Sequence, residues 1–214
     1  MFFNIFNWVN NMDKFIKIFK VKNRIMLFFI VLFIVGIIAG SLFTTFLSIS
    51  DKEIVINYMN EYFNNLDNIN YLETLKSSIS SNLLYTLVIW VLGISIIGIP
   101  LIFVIFISIA FILGFSISAI VLNFGFNGIL ISLAYIFPFE IINAFIFAFL
   151  SMYAFVFSIN LIRNLFKSCN IDMKLLFSKY KNILFVSLII ILLSTLLGNF
   201  LTPIIIKSIL NLSI

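Results

Sequence analysis

Residues Leu83–Arg163 read LLYTLVIWVLGISIIGIPLIFVIFISIAFILGFSISAIVLNFGFNGILISLAYIFPFEIINAFIFAFLSMYAFVFSINLIR. Between Leu83 and Ile162 stands a single acid, Glu140, with no Lys, Arg, His, Asp or Cys. Such a surface is intolerable in water and ordinary in lipid. Around this block the 214-residue chain is 63% hydrophobic and 10% charged, with a mean hydropathy of +1.24. A soluble domain is nearer about 45–50% apolar and about 25% charged, so the chain reads as an integral membrane protein. Its apolar runs are continuous, without the short alternating segments of a transmembrane barrel, and this predicts helices. The 28 Phe are read as a coding bias spent on interchangeable lipid-facing side chains. A net charge of +5 sits beside the spans, where it sets orientation, and implies no nucleic acid.

Residues 1–24 carry Lys14, Lys17, Lys20, Lys22 and Arg24 against Asp13. Phe2, Ile5, Phe6, Val9 and Met12 recur at helical steps, which suits a basic amphipathic tail in the cytoplasmic interface or a plain basic flank. Ile25–Leu47 is long enough to cross a core of about 30 Å. Residues 48–82 form an acidic loop with Asp51, Glu53, Glu61, Asp67 and Glu73 against Lys52 and Lys76, read as one or two amphipathic helices. A second basic segment, 163–181, holds Arg163, Lys167, Lys174, Lys179 and Lys181 as well as the single Cys169, and residues 182–214 supply a last span and its end. With basic segments in the cytoplasm and the acidic one outside, the core 83–162 must cross an odd number of times. Three crossings fit its length. The reading is an all-α, polytopic helical bundle of five transmembrane helices, its N-terminus cytoplasmic and its C-terminus extracytoplasmic.

The core has to break, because Leu83–Leu122 would extend about 60 Å and Ile129–Ile162 about 51 Å as straight helix. Gly98 and Pro100 mark the first break and Pro138 the second; Asn123–Gly128 reads as a turn at the outer side. The piece before Pro138 then becomes a half-helix or re-entrant segment. Gly36 and Gly40 form a GxxxG spacing, and Ala110, Gly114 and Ser118 a ladder of small residues, both suited to close helix approach. That spacing points to packing within one chain before a homo-oligomer, which stays open.

Glu140 is the one candidate for intramembrane chemistry, as proton relay or counter-ion, with Asn143 on the same helical face placed to hydrogen-bond to it. The competing reading is structural: after the Pro138 break, Glu140 falls in the first turn of a helix, where a carboxylate is favoured. For an enzyme the inventory is poor. There is no His, every Asp lies outside the spans, and no nucleotide fingerprint occurs. No catalytic residue, cofactor or metal is expected.

Several stretches carry a resemblance: Asn82-Leu-Leu-Tyr, Trp90-Val-Leu-Gly93-Ile-Ser-Ile-Ile-Gly98-Ile-Pro100, Gly114-Phe115, Asn123-Phe-Gly-Phe-Asn-Gly128, Pro138 and Leu161-Ile-Arg163. Together with the length and the basic N-tail, they resemble the stage II sporulation protein M family of bacterial membrane proteins. Wider relatives often carry an acid where this chain has Asn143, with Glu140 nearby. The resemblance implies a non-catalytic role in engulfment of the forespore, at the mother-cell membrane. There such proteins anchor or localise a peptidoglycan-degrading machine containing stage II sporulation proteins D and P, whose own groups do the chemistry. A small-solute transporter or channel subunit, using Glu140 and the broken helix at Pro138, is the alternative.

Overall fold

Without water to bond them, backbone N–H and C=O groups in lipid are satisfied only within helices or closed barrels. The computed structural model describes residues 23–64, 70–136, 139–167 and 172–212, which form six helices and no strand. They are α1 (Asn23–Phe46), α2 (Ile49–Asn64), α3 (Tyr71–Gly93), α4 (Gly98–Ile136), α5 (Phe139–Lys167) and α6 (Met173–Leu212). All but α2 are long and apolar enough to cross a membrane. The tail up to Lys22, Asp67, Pro138 and Cys169 lie outside the described residues.

α1 is peripheral and packs mainly along α4. A Cβ at Gly40 would overlap the Phe111 carbonyl, one at Gly114 would overlap that of Ile37, and Gly36 sits over Ala110. The two backbones meet because neither side presents a side chain. Ser41 Oγ then donates to Gly114 O at 3.1 Å, and the Thr44 and Ser118 hydroxyls bond to each other. The glycine pair and the small-residue ladder are thus two sides of one intrachain seam. Between lipid-solvated helices such close packing and polar linkage take over from the hydrophobic effect.

α3 ends at Gly93 and α4 begins at Gly98. Residues 94–97 turn tightly, with Ser95 N–H donating to Leu92 O at 3.0 Å. Pro100 sits in the first turn of α4, where its missing N–H removes no helical bond. Ser158 Oγ donates to Gly93 O at 2.6 Å, and Tyr180 Oη donates to Trp90 O at 2.9 Å. The hairpin is thereby tied to α5 and α6. Beside it Tyr180 stacks on Phe157 with ring centroids 4.4 Å apart.

α4 is two helices in sequence. Gly125 has φ 57° and ψ −132°, a conformation disfavoured for residues with a Cβ. The chain reverses there. In a continuous helix Gly128 would stand about 12 Å from Ile120, whereas a Cβ on it would lie 2.7 Å from Ile120 O. The arm 126–136 therefore folds back along 98–124. The arm is not enclosed by protein all round. Ile131, Ser132 and Ala134 are buried, while Phe126, Ile129, Leu130 and Leu133 are exposed. A helical arm satisfies its own backbone, so one face can meet lipid.

Two boundaries read from apolarity move. α3 starts at Tyr71, so the stretch Tyr71–Asn82 of the segment read as the loop 48–82 is helical and continuous with the apolar run after it. α6 starts at Met173, so Lys174, Lys179 and Lys181 stand on helix within the segment read as the basic loop 163–181. In both places the helical hydrogen bonding runs on after the apolar character has stopped. Hydropathy reports immersion in lipid, and a helix can project beyond it. α2, between α1 and α3, starts with Asp51 N–H donating to Ser48 Oγ at 3.2 Å, an N-cap. It lies against the reversal in α4. Asn123 Nδ2 donates to Asn60 Oδ1 at 2.8 Å, and Phe63 meets Phe124 edge-to-face at 4.9 Å.

Candidate functional site

The first turn of α5, at Phe139, builds the site. The arm of α4 stops at Ile136 and α5 restarts at Phe139, short of the bundle end where α2 lies, which brings the first turn of α5 inside the protein. Its position is set by α6: Ser194 Oγ donates to Phe139 O at 3.0 Å, and Gly198 admits the Phe139 side chain. Glu140, the next residue, is half-buried. It lies in the wall of two cavities, one of about 250 Å³ and one of about 170 Å³.

The larger cavity runs beneath α2. Tyr58, Tyr62, Tyr135, Ser194 and Thr195 are in its wall with Glu140. Burial, and next the neighbouring Tyr58, pushes the Tyr62 phenol above its ordinary range, so it stays neutral. The smaller cavity is lined by Asn82, Tyr85, Ile109, Asn143 and Phe147 on its side of Glu140. Polar side chains of α3 and α6 are joined close by. Asn82 Nδ2 donates to Thr195 Oγ1 at 2.8 Å and Ser78 Oγ to Asn199 Oδ1 at 3.4 Å, while within α6 Asn199 Nδ2 donates to Thr195 O at 2.9 Å.

Asn143, one turn beyond Glu140, is 2% exposed. Its Oδ1 has no hydrogen-bond partner. The pairing with Glu140 read from their spacing is not made: the two share the wall of the smaller cavity without a bond. Burying an amide oxygen unpaired costs on the order of 1–3 kcal/mol, so this group is poised for a donor or a cation. Among the described residues, no three His, Cys, Asp or Glu side chains gather that could hold a metal.

The remaining residues singled out by the sequence lie elsewhere. Gly36, Gly40, Ala110, Gly114 and Ser118 form the α1–α4 seam, and Gly98 with Pro100 the hairpin after α3. Sequence reading passed over Tyr58, Tyr62, Tyr135 and the polar residues of α6. A signal was present in α6: Ser187, Ser194, Thr195, Asn199 and Thr202 recur at helical steps through an otherwise apolar run, which marks one face turned from lipid.

This geometry can be set beside known proteins. No curated protein and no solved structure matches the chain. The family model described as stage II sporulation protein M matches residues 29–203, from Phe29 in α1 to Pro203 in α6, and so takes in the seam, the hairpin, the reversal and both cavities. The chain therefore belongs to the stage II sporulation protein M family, and is a multi-pass, sporulation-related membrane protein.

Proposed function

We propose that this protein is a non-catalytic scaffold in the mother-cell membrane that anchors or localises a peptidoglycan-hydrolase complex during engulfment. Stage II sporulation proteins D and P are the partners this reading names, and they supply the catalytic groups. The end of the bundle bearing α2 faces outward and the end bearing Arg163 and Lys174 faces the cytoplasm, following the excess of basic residues.

The observation that carries the reading is α2. It is the one described helix that does not span, and it is fixed to the bundle by one face, through Phe63 and Asn60. Away from those contacts Ile54 is 66% exposed, and Tyr58, which also borders the larger cavity, is 67% exposed, beside the acids Asp51, Glu53 and Glu61. An apolar pair rimmed by charge, held rigidly at the end of a membrane bundle, is a surface suited to an extracytoplasmic partner.

The test has two parts. Deleting the gene in a spore former and imaging the membranes should show engulfment arrested; normal engulfment in a strain without a second copy refutes the scaffold. A photo-crosslinking residue at Ile54 should capture a hydrolase component in sporulating cells, and capture of lipid alone refutes α2 as the docking face.

A further inference from the structure

We infer that the two cavities meeting at Glu140 form a binding site for one small monovalent cation, held between the Glu140 carboxylate and Asn143 Oδ1. This goes beyond the scaffold reading and does not depend on it.

The first argument is what the site has left unpaired. Asn82 spends its Nδ2 on Thr195, and Ser194 spends its hydroxyl on Phe139 O. Ser78 and Asn199 are likewise engaged in the α3–α6 links. Among the described residues, the buried polar atom of these walls that has no partner is an acceptor, Asn143 Oδ1. Beside it stands a carboxylate. A site with surplus acceptors and one negative charge calls for a cation.

The second argument concerns what is missing from the walls. Among the described residues, neither cavity has a Lys or Arg in its lining. Along α5 the first basic residue after Glu140 is Arg163, more than six turns away. An ionised carboxylate half-buried in a bundle without a counter-charge is costly, and a bound cation offsets that cost.

The third argument selects the valence. Among the described residues, Glu140 is the only acid in either wall. One carboxylate neutralises one monovalent ion, whereas a divalent ion would leave a net charge in a low-dielectric interior. The two donors named, the Glu140 carboxylate and Asn143 Oδ1, are oxygens, which suit a hard alkali ion or a primary ammonium. The larger cavity also reaches exposed Tyr58 and Thr74 near α2, which gives the ion a route in from that end. Tyr62 and Tyr135 line this route, and aromatic faces attract cations.

The test uses the full chain purified in detergent, unfolded by heat in sodium, potassium, ammonium or N-methylglucamine chloride at equal ionic strength. One small cation should raise the melting temperature saturably above the bulky N-methylglucamine control, and the effective salt distinguishes an alkali ion from an ammonium. Glu140→Gln should abolish that difference. Equal melting in all four salts overturns the proposal, as does a cation effect that survives the substitution. If Glu140 served only to start α5, its replacement would shift melting equally in every salt, and that result also overturns it. Should the Gln variant not fold, Asn143→Ala carries the same comparison. Binding of radioactive sodium, or rubidium in place of potassium, to the unmodified protein should approach one ion per chain; absence of binding by an alkali ion that raises the melting temperature refutes the site. Engulfment is not the readout, so failure here leaves the scaffold reading standing.

Discussion

Gly40 and Gly114 are where single atoms decide how α1 sits. A Cβ at either would overlap a carbonyl oxygen of the facing helix, and a backbone carbonyl cannot rotate away as a side chain does. Gly40→Ala is expected to push α1 off α4 and to cost about 1–3 kcal/mol, the range of overpacked cores, read as earlier unfolding in detergent. Ser158 makes a different contribution. Its hydroxyl reaches Gly93 O across the hairpin at 2.6 Å inside the protein, where a lost partner leaves a carbonyl without compensation. Ser158→Ala should therefore cost about 1–3 kcal/mol with no volume added, measured in the same unfolding assay. Gly36, Gly40 and the ladder at Ala110, Gly114 and Ser118 were all legible from spacing alone. Their partnership was not, because spacing shows which face is small and says nothing of which helix meets it.

At the scale of elements, the reversal in α4 and the attachment of α2 are one construction. Asn123-Phe-Gly-Phe-Asn-Gly128 reads as a turn in the sequence, and the structure assigns the positive φ to Gly125. No atom lies within 4 Å of a Cβ placed there, so Gly125→Ala tests backbone strain without a steric term. The expected loss is about 1–3 kcal/mol, and it should fall on the arm 126–136, seen as faster amide exchange there than in α1. α2 rests on the outside of this reversal through Phe63, which is 7% exposed. Phe→Ala at a buried site costs roughly 3–5 kcal/mol, so even the lower value would raise the detached population of α2 on the order of a hundredfold. Trypsin should then cut at Lys52 far faster in Phe63→Ala while the melting of the bundle changes little. Helix ends were the least legible feature. Tyr71–Asn82 reads as loop because Glu73, Lys76 and four serines interrupt the hydropathy. Yet Ser78 and Asn82 are the residues that bond α3 to α6.

For the whole molecule the question is parity. Composition made the membrane class legible at once, and two prolines with a handful of glycines divided the apolar block. The site was half legible: a lone Glu140 in an apolar block is conspicuous, whereas the cavities around it arise from helices that meet only in three dimensions. Parity turns on the arm 126–136. Its eleven residues rise about 16 Å, roughly half of the 30 Å hydrocarbon core, so the arm enters and cannot cross. α5 must complete that passage, and with its 29 residues it is long enough to do so. Counting α1, α3, α4 with its arm, α5 and α6 gives termini on opposite sides. In the proposed orientation the basic residues of the N-terminal tail and those flanking α5 and α6 share the cytoplasmic side. Alkaline phosphatase, active only outside the cytoplasm, should be active when fused after Ile214 and inactive when fused after Lys167. Equal activity at both positions would mean that α6 does not cross. The reverse pattern would turn the bundle over, place α2 in the cytoplasm, and remove the docking face from the side where peptidoglycan lies.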